Sequence, residues 1–204
     1  MNSVKTDSEL VQRTIEFHGH WCPGLAIGIR AAELALKEIG KASDEEIVAV
    51  VETDMCGVDA IQYLTGCTLG KGNLIHKDYG KNAFTFYRRR DNKALRLVTR
   101  REIFARGGPL LTELNRKVQE EGLTSEEEKK WKEIRDDIAK RVMEADLSEI
   151  FELKTPSHPM PKKARMVSSL LCESCGEGVM ETRTRRLGGK TYCIPCFDAV
   201  EKRF

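Results

Sequence analysis

Residues 18–40 read H-G-H-W-C-P-G-L-A-I-G-I-R-A-A-E-L-A-L-K-E-I-G, and they join a group of metal-ligand residue types to a helical pattern. Pro23 suits the first turn of a helix, and Cys22 lies at its N-cap. The apolar residues that follow recur at helical spacing, and Gly40 is a residue type that ends helices. We therefore predict a helix over residues 23–39 that buries its apolar face.

The segments on either side of this helix alternate between helical and strand patterns. Helices are predicted at residues 8–17, 59–65, 109–121 and 125–145, and strands at residues 47–53, 81–90 and 94–100. The turn D-N-K at residues 91–93 predicts a hairpin between the last two strands. Ser8 and Ser125 are the predicted helix caps, and Ser125 forms a capping box with Glu128. Together these elements predict an α+β domain at the N-terminus.

The composition is that of an ordinary globular protein. The 204 residues are 40% hydrophobic and 32% charged, with 16 glycines and 6 prolines, which excludes collagen-like, low-complexity and wholly disordered chains. The longest strongly apolar run, residues 47–51, is too short to span a bilayer. The N-terminus carries no apolar segment of a secretory signal, so we expect a cytoplasmic protein that does not enter a membrane.

Charge is distributed unevenly along the chain. Residues 1–86 carry 8 Lys or Arg against 12 Asp or Glu, whereas residues 154–204 carry 10 against 5. A basic C-terminal segment can contact nucleic acid, but this excess is small and no base-stacking aromatic pattern accompanies it. A nucleic-acid-linked regulator is therefore the weakest of three functional hypotheses.

Four of the seven cysteines form two C-x2-C hooks near the C-terminus. The ligands are Cys172, Cys175, Cys193 and Cys196, with 17 residues between the hooks. This spacing is typical of a four-cysteine zinc site, in which the thiolates complete a tetrahedron and the ion is structural. The turn L-G-G-K between the hooks and the helical pattern after them predict a treble-clef or ribbon-like module. A module of about 40 residues needs the metal for much of its folding energy.

A proline-rich segment precedes this zinc module. Residues 156–165 read P-S-H-P-M-P-K-K-A-R, and three prolines oppose both helix and sheet. We therefore divide the chain into an α+β domain at residues 1–155, a linker at residues 156–165 and a zinc-binding domain at residues 166–204.

A second group of candidate ligands lies in the N-terminal domain and consists of His18, His20, Cys22, Cys56 and Cys67. The first three alternate in an extended loop, so their side chains point one way. Cys22 lies at a helix N-terminus, where the helix dipole favours a thiolate. Cys56 follows the carboxyl end of a buried strand, where sites of α/β layouts collect. The group predicts a metal site, with zinc or iron as the ion, or a reactive thiolate.

Three segments resemble the FmdE family, which is named after one component of molybdenum or tungsten formylmethanofuran dehydrogenase in archaeal one-carbon metabolism. They read H-G-H-W-C-P-G, D-M-C-G-V-D-A-I-Q and T-G-C-T-L-G-K-G-N-L, and they follow one another within residues 10–150. The resemblance implies an α+β fold, a homodimer and one metal site built from the five residues above, here expected to hold zinc. A C-terminal four-cysteine zinc module also occurs in the family. The resemblance further implies that the pterin and the iron–sulfur clusters belong to other subunits of that enzyme.

Two further hypotheses for function follow. The first is a zinc-binding accessory or regulatory protein, a homodimer that partners subunits of a molybdenum or tungsten oxidoreductase. The second is an independent enzyme acting on a small molecule, with Cys22 as nucleophile or redox thiol where it is not a ligand and a histidine as base. An open coordination position in a concave pocket would favour the second hypothesis.

Overall fold

The structure is a computed structural model that describes residues 7–156 and 158–201. It contains two compact units, Met1–Lys163 and Ala164–Phe204. The first unit combines helices with one mixed sheet, and the second contains the four-cysteine group beside short hairpins. The predicted α+β class is confirmed.

The helices of the first unit are α1 (Ser8–His18), α2 (Pro23–Glu38), α3 (Gly57–Thr65), α4 (Arg101–Phe104), α5 (Gly108–Glu120), α6 (Ser125–Glu144) and α7 (Leu147–Ile150). Its strands are β1 (Ile47–Val51), β2 (Leu74–His76), β3 (Ala83–Arg88), β4 (Lys93–Thr99) and β5 (Phe151–Lys154). The sheet order is β2-β1-β3-β4-β5, with β1 and β2 parallel and the other pairs antiparallel. The predicted hairpin is the β3–β4 pair, whereas the short edge strands β2 and β5 were not predicted.

The core lies between α2 and one face of the sheet. Strand β1 is buried along its whole length, as expected for a strand with neighbours on both sides. Apolar side chains of α2, α6 and α7 pack together with those of β1, β3 and β4, including Ile27, Val51, Phe84 and Leu97. Helix α2 thus forms the base on which the ends of α1 and α3 are placed.

Two glycines let α2 and α3 approach at backbone contact. A Cβ atom added to Gly28 would lie 2.2 Å from the carbonyl oxygen and 2.4 Å from the Cα of Gly57. Real Cβ atoms do not come so close, so Gly28 requires a residue without a side chain, while a Cβ at Gly57 would be a tight fit at 3.0 Å from the carbonyl oxygen of Gly24. This contact brings the N-termini of the two helices together.

Two predicted caps are displaced by one residue. The capping box of α6 is formed by Thr124 and Glu127 instead of Ser125 and Glu128, because Thr124 has the extended backbone of an N-cap. Likewise Asp7, not Ser8, accepts the hydrogen bond from the backbone of Glu9 at the start of α1.

The first half of the proline-rich segment packs on the first unit. The hydroxyl of Tyr87 donates to the carbonyl of His158 at 2.8 Å, and Nη1 of Arg89 donates to the carbonyl of Pro161 at 2.8 Å. Residues 158–161 are therefore part of this unit, although the whole of residues 156–165 was predicted to be a linker.

The second unit consists of two hairpins and a helix: β6 (Ser169–Leu171) with β7 (Gly178–Met180), β8 (Thr184–Leu187) with β9 (Lys190–Cys193), and α8 (Ile194–Val200). Gly188 and Gly189 both have positive φ, which makes the predicted turn of the second hairpin. Across the described part of both units, no helix is long and apolar enough to cross a membrane.

Candidate metal centres

Four of the five predicted ligands of the N-terminal domain converge on one point. His18 is the last residue of α1, His20 lies in the following loop, and Cys22 and Cys56 are the N-cap residues of α2 and α3. Their ligand atoms all lie within 4.8 Å of one another. We refer to these four residues as the first centre.

The chain reverses at Gly19 to bring these residues together. Gly19 has a φ of 93° and donates its backbone N–H to the carbonyl of Ile15, which ends α1 at His18. The loop then carries His20 back toward Cys22, where α2 begins.

The ring of His18 is held by a carboxylate on its far side. Its Nδ1 lies 2.7 Å from Oδ2 of Asp59, so Nδ1 carries the proton and Nε2 keeps a free lone pair. Nε2 is buried and has no hydrogen-bond partner among the described residues. In this arrangement a carboxylate binds one ring nitrogen and leaves the other free and buried. It is the arrangement that orients histidines toward metal ions.

The two thiols of the first centre differ in exposure. Cys22 is only 1% exposed, and its Sγ accepts a hydrogen bond from the backbone of Leu25 at 3.4 Å, as an N-cap residue does. Cys56 is half-buried, and burial followed by the proximity of Cys22 raises the pKa of its thiol. Two adjacent thiolates away from bulk water require a neighbouring cation, which a metal ion supplies.

His20 completes the first centre from the solvent side. Its ring centroid lies 4.4 Å from that of His18, and its side chain is exposed. The slight burial of the ring, followed by the charges of His18 and Arg135, lowers the pKa of His20. The lowered pKa favours the neutral imidazole that binds metals.

A cation at the first centre was not predicted from the sequence. The guanidinium of Arg135, on α6, lies 4.1 Å from the ring centroid of Trp131, whose Nε1 donates to Asn115 at 2.8 Å. Its charge lowers the pKa of His20 and acts in the same direction on Cys56. No carboxylate pairs with Arg135 among the side chains that the structure describes. The sequence signal that could have indicated this contact is the i, i+4 spacing of Trp131 and Arg135, which places their side chains next to each other on a helix.

Cys67 lies apart from the other four predicted ligands. It is fully buried in the core between α2 and the sheet, and its Sγ lies 3.6 Å from the carbonyl of Ile47. Burial raises the pKa of the Cys67 thiol, so it remains protonated in this apolar setting. This placement corrects the expectation that all five side chains share one cavity.

The second centre consists of Cys172, Cys175, Cys193 and Cys196, whose sulfurs also lie within 4.8 Å of one another. The first pair lies in the turn between β6 and β7, and the second pair at the start of α8, which corresponds to the treble-clef order of turn, hairpin and helix.

Backbone groups favour the thiolate form at this second centre. Hydrogen bonds from the backbone amides of Cys175 and Cys193 are the main reason that the pKa of Cys172 is lowered to about 6. The amide nitrogen of Cys193 lies 3.3 Å from Sγ of Cys172. A thiolate is the form that zinc binds, so Cys172 is prepared for the ion, whereas neighbouring sulfurs raise the pKa of Cys175 and Cys193 in the metal-free chain.

Comparison with known families finds a match for each of the two units. The family model described as "FmdE, Molybdenum formylmethanofuran dehydrogenase operon" matches residues 17–152. The chain belongs to the FmdE family. Within this FmdE-family chain, the prokaryotic dksA/traR C4-type zinc finger model matches residues 167–202, which contain the second centre. The four cysteines of that centre are therefore a zinc-finger site.

Two relatives of this FmdE-family chain are informative. A "Probable S-adenosyl-L-methionine-binding protein" of Archaeoglobus fulgidus is 32% identical over 202 residues, covering 92% of this chain and 54% of the relative. The chain thus spans about half the length of that curated relative. The crystal structure of a "tungsten formylmethanofuran dehydrogenase subunit e (fmde)-like protein" from Syntrophus aciditrophicus is 26% identical, with a TM-score of 0.60, over 98% of this chain and 97% of that one.

Proposed function

We propose that this FmdE-family protein binds a second zinc ion at the first centre and holds a small anionic molecule beside it. The observation that carries the proposal is the buried Nε2 of His18, which has no partner among the described residues and belongs to a group with two thiols. A buried nitrogen left without a hydrogen bond destabilises the fold, and coordination of a metal removes that cost.

The four side chains are not equally fixed. Cys22 and Cys56 occupy helix N-termini, and His18 is held by Asp59. His20 lies in a loop and is exposed. Reactive zinc sites have three fixed protein ligands and one exchangeable position. Structural zinc sites have four protein ligands and no open position. We therefore assign the fourth position at the first centre to exchange between His20 and a ligand from solution.

The proposed activity depends on groups that this chain itself supplies. Bound zinc would polarise a carbonyl group or lower the pKa of a water molecule. Asp59 keeps the proton of His18 on Nδ1, and Arg135 provides a guanidinium, without a carboxylate partner in the described part of the chain, that attracts an anionic group. His20, with its lowered pKa, is a neutral base at neutral pH when it leaves the ion.

Metal content tests the site directly. The purified chain should contain two zinc ions by elemental analysis, and His18→Ala should contain one. His76→Ala and Cys67→Ala are matched controls outside the first centre, and both should keep two ions. A wild-type chain with one zinc ion, after reconstitution with excess zinc, would contradict the proposal.

Cobalt(II) substitution tests the open position. Acetate or phosphate should change the visible absorption bands of cobalt at the first centre, and Arg135→Gln should weaken both responses about tenfold. Lys132→Gln, on the same helix and exposed, is the matched control that should leave the responses unchanged. Bands that do not respond to any anion would favour a closed structural ion.

An accessory role is the second candidate function, and the family match supports it. The family description and the name of the Syntrophus protein both refer to formylmethanofuran dehydrogenase, which the resemblance links to one-carbon metabolism. In this role the chain is a homodimer in the cytoplasm that joins subunits of a molybdenum or tungsten oxidoreductase. Affinity purification from the native cell should recover a pterin-containing enzyme, and recovery of this chain alone would oppose the role.

The name of the Archaeoglobus relative provides one further probe. S-adenosyl-L-methionine carries a carboxylate, which is the group that Arg135 is proposed to hold. Equilibrium dialysis of this compound against the zinc-loaded chain should show binding that Arg135→Gln reduces. Absence of binding would indicate that the relative binds S-adenosyl-L-methionine through the part of its sequence that this chain does not cover.

A further inference from the structure

We propose a second small-molecule site in the first unit, a cavity between the sheet and residues 158–161 that takes a small aromatic carboxylic acid. It uses none of the residues of the first centre and is independent of the proposed function. Its walls include Val50, Ile75, Thr85 and Tyr87 of the sheet and His158 and Pro161 of the covering segment.

Strand register places this cavity on the face of the sheet opposite to α2. Val50 pairs with Ile75 on one side and Thr85 on the other, which forms one row across three strands. The neighbouring residues Val51 and Phe84 point into the core beneath α2. Because side chains alternate along a strand, the row containing Val50 faces the other way.

Residues 158–161 cover this row and leave a space. Two hydrogen bonds of 2.8 Å, from Tyr87 to His158 and from Arg89 to Pro161, fix the cover to the sheet. The volume of this partly open space is about 290 Å³. An apolar cavity of about 150 Å³ holds benzene, so this space admits a substituted ring.

Thr85 places a hydroxyl in the wall of the cavity. The residue is only 4% exposed, yet its hydroxyl makes no hydrogen bond to any residue that the structure describes. The hydroxyl is not sealed within the protein, so it can bond to an atom in the space beside it. A ligand atom in the cavity can therefore supply its partner.

The charged groups of the cavity favour an anion. Glu52 is buried and already neutralised, because Nη2 of Arg96 contacts both of its oxygens at 2.8 and 2.9 Å. Lys77 lines the cavity, is exposed, and has no ion pair within the described residues. The remaining charge at the wall is therefore positive.

A second cation lies near the aromatic part of the mouth. The Nζ of Lys81 is 5.8 Å from the ring centroid of Tyr79, which itself lines the cavity. Asp78 lies between Lys77 and Tyr79 in the sequence and is not among the residues that line the cavity. Apolar walls, two tyrosines, one free hydroxyl and cations at the mouth together fit a ring that carries one carboxylate.

Binding of benzoate, 4-hydroxybenzoate and phenylacetate to the zinc-loaded full chain tests this assignment by isothermal titration calorimetry. At least one acid should bind at one site per chain in the Arg135→Gln background, where anion binding at the first centre is weakened, and its neutral amide should bind about tenfold more weakly there. Failure of all three acids to bind at millimolar concentration would overturn the proposal.

Variants locate the binding site. Thr85→Val keeps the shape of the side chain and should weaken the acid about fivefold, because one hydrogen bond is lost. Lys77→Gln should weaken it about tenfold, since the positive charge at the wall is lost. Lys37→Gln, an exposed lysine on α2, should not change the affinity, and neither should His18→Ala. Loss of binding in His18→Ala would place the acid elsewhere and overturn the assignment. Wild-type affinity in both Thr85→Val and Lys77→Gln would do the same.

Discussion

The first and second centres both bring cysteine sulfurs together, but on very different supports. The first centre is carried by helix ends above a core that contains α2, β1 and β3. Among the described residues of the second unit, Cys172 alone is a buried hydrophobic residue. A metal site on an independent core can lose or exchange its ion without unfolding the domain. A metal site that takes the place of a core cannot. This difference is what we expect if the first centre exchanges ligands, as proposed, and the second is structural.

The largest effect that this comparison predicts is the unfolding of the second unit. Cys172→Ser should leave three thiolates, which bind zinc too weakly to replace a hydrophobic core. Trypsin should then cleave rapidly at the exposed Arg183, Arg185 and Arg186, while the first unit resists. Ser174→Ala, in the same turn, is the control and should behave as wild type. A protease-resistant second unit in Cys172→Ser would show that it has a core of its own.

A change at the α2–α3 contact should have the next largest effect. Alanine normally stabilises a helix interior relative to glycine, but the Cβ in Gly28→Ala would lie within 2.2 Å of the backbone of Gly57. We expect the free energy of unfolding of the first unit to fall by about 2–3 kcal/mol in a urea titration. The variant should also lose the first zinc ion, because the approach of α2 and α3 places Cys56 beside Cys22.

Gly70→Ala is the control for this substitution. Gly70 is exposed, with no atom within 4 Å of an added Cβ, so its replacement should not change the free energy of unfolding. Equal stability of Gly28→Ala and wild type would mean that α2 and α3 can separate without cost, and the positioning argument for the first centre would then fail.

The direct comparison of the two centres is made by Cys56→Ser. Here the zinc content should fall from two ions to one, while the melting temperature of the first unit changes by only a few degrees, because its core lies below the site. Circular dichroism and elemental analysis on the same sample check both statements. Collapse of the first unit would instead identify the first centre as a structural staple, and the proposed exchange of ligands should be abandoned.

The fold was predictable where the pattern was local. Helix α2, strand β1 and the β3–β4 hairpin follow from regular apolar spacing and from a short polar turn. The strands β2 and β5 were missed because they have only three and four residues and are defined by pairing with distant strands. The caps were displaced because neighbouring Thr and Ser, or Asp and Ser, are nearly equivalent as caps.

The first centre was predictable only in part, because its support comes from distant segments. Residues 18, 20 and 22 are neighbours in sequence, and Cys56 follows a recognisable strand. Asp59 is 41 residues from His18, and Arg135 lies on α6, so no spacing rule connects either to the site. Cys67 was included because glycines surround it, yet its direction into the core depends on a turn that the pattern does not specify.

The smallest predicted effect concerns the charge on His20 in the zinc-free chain. Burial, His18 and Arg135 lower the pKa of His20 below the usual 6.5. A lowered pKa means that the folded state disfavours the imidazolium, so folding stability is complete above pH 6.5 and decreases as the pH falls through the folded-state pKa. Because His20 is exposed, the change in stability is small, and proton NMR of the imidazole is the sensitive measurement.

Arg135→Gln should raise the pKa of His20 toward 6.5 without restoring it, since burial and His18 remain. Lys132→Gln, one turn away on α6, is the matched loss of a positive charge and should shift the titration less. The effect of Arg135 should also decrease at high salt, because charges near a surface are screened. An unchanged His20 titration in Arg135→Gln would mean that this guanidinium is too far from the first centre to recruit an anion, and the proposed substrate class would lose its support while the metal site itself would stand.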